Sequence, residues 1–245
     1  PPPPPPPPRS FQAEDGIRDN IPSLVGSEMC IRDSYWQGRD TGLHSHRSKV
    51  MEGLPTAGLP TLMRNWSEYV WLVNHMVETG FINTIREIWW DVRPHHNFGT
   101  VEVRVCDMPG NLDQVCGLTA LIQCLVKTLN DEIDEGTYQF DCHPMMVRQN
   151  KWRAARYGST ARLVNARDYR VRSVSEIACN MVDLLRDAAV DLGCESELLH
   201  VREIARGQDC AQQQRDILRV TRDPRQVVKQ LSDRARISPS ETTAG

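Results

Sequence analysis

Acidic and basic side chains alternate along one short stretch of the chain, Ile88–Pro109, which reads IWWDVRPHHNFGTVEVRVCDMP. In its second half, a β-strand would place Glu102 and Arg104 on one face and three valines on the other. Asp91 and Arg93 follow a similar pattern in its first half. Carboxylates beside guanidinium groups can bind a metal ion or hold phosphate and carboxylate oxygens.

The two halves of this stretch predict an antiparallel hairpin. Residues 94–99 are few enough to close two strands, and the alternation predicts that the valines face a core. We therefore expect four charged side chains to converge on one sheet face above a cleft: Asp91, Arg93, Glu102 and Arg104. The spacing alone fits equally an ordinary set of cross-strand ion pairs on a solvated face, so both interpretations stay open.

Several blocks of the sequence, taken in order, resemble one family of enzymes. The hairpin stretch is similar to the pattern WWDxRPxxxFGTxExRxxD, followed by a proline, of the bacterial carboxylate–amine ligases of the glutamate–cysteine ligase type 2 family. The other similar blocks are Tyr35–Leu43 (YWQGRDTGL), Arg47–Ser48, Leu54–Pro60 (LPTAGLP) and Asn150–Gly158 (NKWRAARYG). The resemblance extends over residues 35–236, and several blocks in one order are more specific than any single block.

The resemblance implies a glutamine-synthetase-like catalytic fold, of which this chain would hold the second half, and a reaction that depends on ATP and Mg2+. Such a ligase uses ATP to convert a carboxylate into an acyl phosphate, from which an amine displaces phosphate. The implied activity is a weak glutamate–cysteine ligase, with glutamate and cysteine, or another amine, as substrates. The family's other acidic metal ligands lie upstream of the matching region, so we expect the chain to be inactive alone.

The resemblance also implies roles for single residues. Glu102 is the expected magnesium ligand, and Arg104 is the expected clamp on phosphate or acyl-phosphate oxygens, because a guanidinium contacts two oxygens at once. Arg93 and Asp91 would contact the nucleotide or orient Arg104, although a purely structural hairpin pair fits them equally well. Arg47 would hold the carboxylate of the amino-acid substrate, unless it is an ordinary surface arginine.

A second set of candidates lies on a predicted helix. Arg153 and Arg156 are three residues apart and are therefore neighbours on one helix face. The resemblance implies that they and Asn150 bind the phosphates of ATP. The alternative is a basic helix face that is simply solvated.

The first thirty-four residues differ in character from the rest. Eight prolines open the chain, and Gln12–Asp19 (QAEDGIRD) is the translation of a common sequencing-library adapter. Ser23–Ser34 (SLVGSEMCIRDS) resembles the transposase end used in the same libraries. We therefore expect residues 1–34 to be non-native, disordered and packed against nothing, with residue 35 at an arbitrary break in a longer gene. A genuine proline-rich tail is the alternative.

Composition limits the class of protein. Outside that segment the chain has 26 basic and 27 acidic residues, a balance that argues against binding nucleic acid or a membrane surface through bulk charge. The sequence shows no uninterrupted apolar run of membrane-spanning length and no signal peptide, so the expected location is cytoplasmic. Partners are expected to be small-molecule substrates, and a homodimer is allowed.

Cysteine and histidine spacing gives no strong metal or disulfide pattern. Seven cysteines outside the first segment contain no CxxC pair, which predicts reduced thiols in a core. The histidine pairs, His44 with His46 and His95 with His96, are poor candidates for metal ligation because adjacent histidines in a loop seldom converge.

Helical periodicity predicts most of the elements that must position these side chains. A helix is predicted over residues 65–79, and a longer one begins after the cap Asn111 and closes near Gly136. The other predicted helices are at about 144–157, 174–191, 195–206, 210–221 and 224–235. Strands beside long helices without a βαβ alternation predict an α+β fold, an antiparallel sheet with flanking helices, as one domain over residues 35–236. A disordered tail is predicted over residues 237–245.

Two other functions stay open. A guanidino phosphotransferase would share the broader fold, although no cysteine lies where that family's reactive thiol is expected. A non-catalytic metabolite-binding or scaffolding module fits if the upstream acids are absent from the gene. The gene upstream of Tyr35 separates these alternatives, because an acidic ExE strand there favours the ligase and a native start codon favours the module.

Overall fold

The computed structural model describes residues 34–36, 39–95, 98–138, 142–165, 168–207 and 209–235. Residues 1–33 of the predicted adapter segment and the predicted tail lie outside the described residues. Ser34 is described and is fully buried, and its hydroxyl donates a hydrogen bond to the side-chain oxygen of Gln214 at 2.7 Å. The folded part therefore begins no later than Ser34, one residue before the predicted boundary.

Eight short strands lie in the described residues: β1 (Tyr35–Trp36), β2 (Arg39–Asp40), β3 (Ala57–Gly58), β4 (Trp89–Trp90), β5 (Val92–His95), β6 (Thr100–Val103), β7 (Arg162–Val164) and β8 (Val171–Ser173). They form four two-stranded sheets instead of the single antiparallel sheet that the sequence predicts. The pairs β1–β2, β5–β6 and β7–β8 are antiparallel, and β3–β4 is parallel. Small sheets and many helices together make an α+β fold, as predicted.

Nine α-helices lie in the same described ranges: α1 (His46–Met51), α2 (Trp66–Glu78), α3 (Leu112–Asp134), α4 (Pro144–Tyr157), α5 (Val174–Leu184), α6 (Arg186–Asp191), α7 (Glu195–Ala205), α8 (Cys210–Thr221) and α9 (Pro224–Ala235). Two 3-10 turns, Ile85–Glu87 and Gly158–Thr160, accompany them. The predicted helices at 65–79, 144–157, 195–206, 210–221 and 224–235 are confirmed to within one residue at each end.

Side-chain caps fix where the main helices begin. Asn65 and Asn111 each accept a hydrogen bond from the backbone N–H three residues further on, both at 2.9 Å. Such caps satisfy donors that the first helical turn leaves unpaired. The predicted helix over 174–191 is instead divided at Leu185, whose ψ of 5° lies outside the helical range. Leu185 donates to the Met181 carbonyl and accepts from the Ala189 N–H, so helical hydrogen bonding continues through the division.

The described residues form two compact units. The hairpin unit comprises residues 47–106, and its core lies around α2 with Tyr69 and Trp90 at its centre. The helical unit comprises residues 34–46 and 107–235. One of its cores joins α3 to α5, α6 and α7, and another joins α8 to α9. The sequence predicts one domain here, because no shift in composition marks either boundary.

Candidate functional site

The hairpin predicted from the charge pattern is formed by β5 and β6, in which Arg93 pairs with Glu102. Paired residues share one face, and Nε of Arg93 donates to Oε2 of Glu102 at 2.7 Å. The second carboxylate oxygen, Oε1, lies 2.6 Å from Nη2 of Arg104. Three of the four predicted charged residues thus meet at one carboxylate, and we call Arg93, Glu102 and Arg104 the hairpin triad.

The two arginines of the triad lie in opposite surroundings. Arg93 is 3% exposed, and its Nη1 donates to the backbone carbonyls of Ile85 and Ile88 at 2.7 and 2.5 Å. A buried guanidinium needs such acceptors, because an unpaired charge in the interior is costly. The side chain of Arg104 is 38% exposed and can meet a ligand. The triad therefore carries one net positive charge, which Arg104 presents to solvent.

Asp91 contributes to this arrangement through its backbone. Its carbonyl accepts hydrogen bonds from the N–H groups of both Arg104 and Val105, at 2.7 and 3.2 Å. Two residues of one strand thus oppose one residue of the other, which is the geometry of a β-bulge. The Asp91 N–H donates to the Gly58 carbonyl at 2.7 Å and ties the bulge to β3. Because bulges re-aim the side chains beside them, this one sets the direction of Arg104.

The prediction that the valines face a core is wrong. Val101 and Val105 are 40% and 38% exposed, and Val103 between them is only partly buried. The face turned inward carries Arg93, because the carbonyls that satisfy its guanidinium belong to the 3-10 turn and to buried Ile88. Consequently the charged face is half closed, with the Glu102 side chain 20% exposed, where the sequence predicts an open cleft.

Arg47, the predicted substrate-carboxylate residue, contacts the backbone that carries Arg104. Its Nη2 donates to the carbonyls of Arg104, Val105 and Cys106 at 3.3, 3.0 and 2.8 Å. These carbonyls follow the last residue of β6, so they need partners outside the hairpin ladder. Arg47 thereby supports the strand end beyond the bulge, and its contact with a substrate remains a prediction.

Asn150 and Arg153 hold helix α4 against strand β7 in the helical unit. Asn150 uses both ends of its amide on Val164: Nδ2 donates to the carbonyl at 2.7 Å, and Oδ1 accepts from the N–H at 2.9 Å. Nη1 of Arg153 donates to the carbonyl of Arg162 at 2.9 Å. These contacts are structural, and binding of ATP phosphates by the two residues remains a prediction.

Arg156, the third candidate on α4, lies beside the loop at Gly42. A Cβ added at Gly42 would come within 3.1 Å of Nη1 of Arg156, so a side chain at Gly42 would displace the guanidinium. The guanidinium carbon also lies 5.5 Å from the centroid of the Tyr157 ring. Arg156 is only partly buried, and its role toward ATP also remains a prediction.

The loop at residues 39–46 is fixed by contacts that the sequence did not reveal. Nε and Nη2 of Arg215 donate to the two carboxylate oxygens of Asp40, both at 3.1 Å, and Nη2 also donates to the Leu43 carbonyl at 2.7 Å. Burial acts to raise the pKa of Asp40, but hydrogen bonds from Arg215 and the Gly42 amide outweigh it and lower that pKa. Asp40 and Arg215 are 175 positions apart, and no local pattern links residues so distant in sequence.

Asp209 anchors the same loop through His44. Its Oδ1 lies 3.4 Å from Nδ1 of His44, which is long for a hydrogen bond, and accepts from the Gln212 N–H at 2.9 Å. Its Oδ2 accepts from the Ser159 hydroxyl at 3.0 Å. Burial acts to raise the pKa of Asp209, but His44, the Gln212 amide and Ser159 together lower it below its usual value. The capping role could have been predicted from an Asp directly before a helix, but the His44 contact could not.

The described part of the chain does not by itself fit a magnesium centre. It holds no group of three or more His, Cys, Asp or Glu residues placed to bind a metal ion. Mg2+ requires several oxygen ligands, whereas Glu102 is one carboxylate whose two oxygens each meet a guanidinium. Glu102 can therefore supply one part of such a centre at most. His96 lies outside the described residues.

Helix α3 is 23 residues long and contains an 18-residue window that is apolar enough for a membrane span. It is the one such helix in the described ranges. The core helix of a soluble protein meets the same criteria, so this finding alone is weak. Ala120 and Cys124 of α3 pack into the core of the helical unit.

Comparison with known proteins gives consistent matches. The sequence profile described as "Glutamate-cysteine ligase family 2" matches residues 34–234. A protein of Gloeobacter violaceus, provisionally named glutamate–cysteine ligase 2, is 37% identical over 222 residues, which cover 91% of this chain and 59% of the relative. A protein of Frankia casuarinae, provisionally named glutamate–cysteine ligase 2-1, is 44% identical over 185 residues, which cover 76% of this chain and 48% of the relative. This chain thus spans about half the length of the curated relatives it matches.

Proposed function

Because this chain belongs to glutamate–cysteine ligase family 2, we propose that the whole protein is an ATP-dependent carboxylate–amine ligase that forms an amide through an acyl phosphate. The observation that carries the proposal is the hairpin triad, in which a buried arginine and a carboxylate hold a half-exposed arginine. That arrangement is a preorganised site for an anion.

The proposed reaction has two steps. A carboxylate oxygen of the substrate attacks the terminal phosphorus of ATP, which forms the acyl phosphate and releases ADP. The amine nitrogen then attacks the acyl carbon, loses a proton, and displaces inorganic phosphate. Charge on the phosphoryl oxygens is redistributed in the transition state of each step, so fixed positive charge placed where that charge develops lowers the barrier.

Arg104 is the residue we assign to those oxygens. A guanidinium has five N–H donors, and the ion pair of Arg104 with Glu102 involves only its Nη2. The remaining donors are suited to two oxygens at once, which an ammonium group cannot match. Arg104 would contact the phosphoryl group during its transfer and again as phosphate leaves.

Glu102 and Arg93 make this contact effective by orienting Arg104. Oε1 of Glu102 holds Nη2 of Arg104 at 2.6 Å, while Oε2 is held by buried Arg93 at 2.7 Å. An arginine that is already oriented loses less conformational freedom when it binds its ligand. Through Glu102, buried Arg93 thus holds the exposed guanidinium of Arg104 in one orientation.

Other parts of the proposal rest on family membership. They are a glutamine-synthetase-like catalytic domain, the cofactors ATP and Mg2+, glutamate and cysteine or another amine as substrates, a cytoplasmic location, and a homodimer as one assembly. Glu102 is the carboxylate that the described residues would offer to Mg2+, which would neutralise phosphate charge when bound.

To test this function, phosphate release is measured with the full-length protein, expressed from a gene that includes the upstream part. Magnesium ATP is supplied with glutamate alone, with cysteine alone, and with both. We expect release to require both amino acids and to match, mole for mole, the dipeptide detected by mass spectrometry. If phosphate were released at the same rate without the amine substrate, the reaction would be a different one and the proposal would be contradicted.

A further inference from the structure

Two cysteines of the helical unit place their sulfur atoms side by side. Cys124 lies in α3, Cys194 directly precedes α7, and their Sγ atoms are 3.7 Å apart although the residues are 70 positions apart. Cys124 is fully buried and Cys194 is partly exposed. We propose that this pair is a redox modification site, at which a low-molecular-weight disulfide oxidises the two thiols to an intramolecular disulfide. This inference does not depend on the proposed function.

The geometry requires only a small movement of the sulfurs. A disulfide bond is 2.03–2.05 Å long, so the two sulfurs must approach by about 1.7 Å. The Cys194 N–H donates to the Ala189 carbonyl at 2.9 Å, and the Cys194 carbonyl accepts from the Leu198 N–H at 3.0 Å. Because these hydrogen bonds hold the backbone, the two sulfurs approach each other by rotation of their side chains. Both side chains lie in the core that joins α3 to α7.

Exposure determines the order of the reaction. The Cys194 thiolate attacks one sulfur of the small disulfide, forms a mixed disulfide, and releases one small thiolate. Cys124 then loses its proton to water, and its sulfur attacks Sγ of Cys194 and displaces the second small thiolate. The protein thiols lose two electrons, and the small disulfide gains them and becomes two thiols with the two released protons.

The second step is the slower one at neutral pH. Burial raises the pKa of the Cys124 thiol, and this effect persists when Cys194 carries the mixed disulfide. Because the thiolate is the attacking form, each pH unit below that pKa changes its population about tenfold. Closure of the disulfide should therefore accelerate as the pH rises. This dependence distinguishes the pair from an exposed, already activated thiol.

The disulfide would join α3 to the start of α7. It would close a loop of 70 residues, which restricts the unfolded chain. We expect the melting temperature of the helical unit to rise by about 5 °C or more. Addition of a small dithiol should reverse the rise.

The test uses the present chain and oxidised glutathione at pH 7 and pH 9. After the remaining thiols are blocked, trypsin should release the peptides 105–127 and 187–202 joined through Cys124 and Cys194, two hydrogen atoms lighter than their sum. We expect the joined pair to form at least about tenfold faster at pH 9. Cys194→Ser should abolish it. Cys116→Ser, a change in a partly buried cysteine of the same helix, should not affect it.

Three results would overturn the proposal. Glutathione could remain on Cys194 without closure, neither thiol could react in the folded chain, or the joined peptides could form only after unfolding in urea. Each result would show two packed core thiols that do not exchange with a small disulfide. The wild-type chain alone decides the matter, so failure of a variant to fold would not obscure it.

Discussion

Glu102 joins two guanidiniums that differ in burial. Arg93 is fixed to backbone carbonyls in the interior, and Arg104 is half exposed. An exposed ion pair by itself contributes little to stability, because solvent screens it and holding long side chains costs entropy. The pair of Glu102 with Arg104 is therefore expected to orient Arg104, whereas the pair of Glu102 with buried Arg93 also contributes to folding.

In the full-length protein, we expect Glu102→Gln to lower the rate of phosphate release by about 100-fold or more. Glutamine keeps the size of the side chain but loses the charge that holds Arg104. Glu78→Gln, a change at an exposed position at the end of α2, is the matched control and should leave the rate unchanged. A Glu102→Gln protein that kept more than half the parent rate would contradict the role of the triad.

Arg93→Ala should lower the free energy of unfolding by about 3–5 kcal/mol, because it leaves carbonyls of Ile85 and Ile88 and the Glu102 carboxylate without their buried partner. Denaturant unfolding followed by tryptophan fluorescence measures this change. Arg86→Ala, at an exposed position in the adjacent turn, is the control and should change stability by less than about 0.5 kcal/mol. Equal effects of the two substitutions would refute the buried role of Arg93.

Asp209 should make stability depend on pH. Its folded pKa lies below the unfolded value of about 3.9, so its stabilisation is fully present above that value and is lost as pH falls through the folded pKa. Asp209→Asn keeps a capping side chain but removes the charge. We expect it to cost about 1–2 kcal/mol at pH 6 and progressively less as the pH falls through the folded pKa of Asp209. A series of urea unfolding curves from pH 6 downward tests this, and a cost that does not change with pH would count against it.

At the scale of single residues, the sequence predicts contacts within one hairpin better than contacts between distant segments. The period of two in a strand placed Glu102 beside Arg104, and hairpin pairing brought Arg93 to them. The sequence did not predict that Arg93 is buried, because its burial depends on backbone carbonyls of residues that precede the hairpin. The contact of Asp40 with Arg215 depends on the whole fold and has no local signal.

At the scale of elements, the loop at residues 39–46 is built around a glycine at the end of α4. Gly158 has φ of 56°, and a Cβ there would lie 2.1 Å from Nδ1 of His44. The His44 N–H also donates to the Ala155 carbonyl at 2.8 Å, so the loop is bound to the helix end. Only a residue without a side chain permits this close approach.

Gly158→Ala should therefore combine strain and collision. We expect a loss of about 3 kcal/mol or more in the free energy of unfolding. Gly136→Ala is a matched control, because Gly136 has φ of 70° and nothing within 4 Å of an added Cβ. It should show the strain alone, about 1 kcal/mol. If the two variants lost equal stability in denaturant unfolding, His44 would not limit the space at Gly158.

Helices were predicted well and strands less well, for a physical reason. A helix is defined by nearby residues, such as the cap Asn111 and the apolar period that follows it. The alternation along β6 was predicted correctly, but the choice of the inward face was not, because it depends on the Ile85 and Ile88 carbonyls that bind Arg93. Val101 and Val105, on the other face, are therefore exposed.

For the molecule as a whole, we propose that this chain holds part of a catalytic apparatus. It spans about half the length of its curated relatives, and its hairpin triad offers one carboxylate. A magnesium-dependent phosphoryl transfer needs more oxygen ligands than that. The proposed activity is accordingly assigned to the whole protein, in which the triad would supply the phosphoryl-binding arginine.

Phosphate release by an Arg104→Lys variant of the full-length protein, with saturating magnesium ATP, glutamate and cysteine, tests whether Arg104 binds the phosphoryl group. Lysine keeps the positive charge but cannot contact two oxygens in one plane or hold the same geometry against Glu102. We expect the rate to fall by about 100-fold, whereas Arg64→Lys, whose side chain is 88% exposed, should keep the parent rate. If Arg104→Lys retained more than half of the parent rate while Arg64→Lys behaved identically, Arg104 would not be the phosphoryl-binding residue.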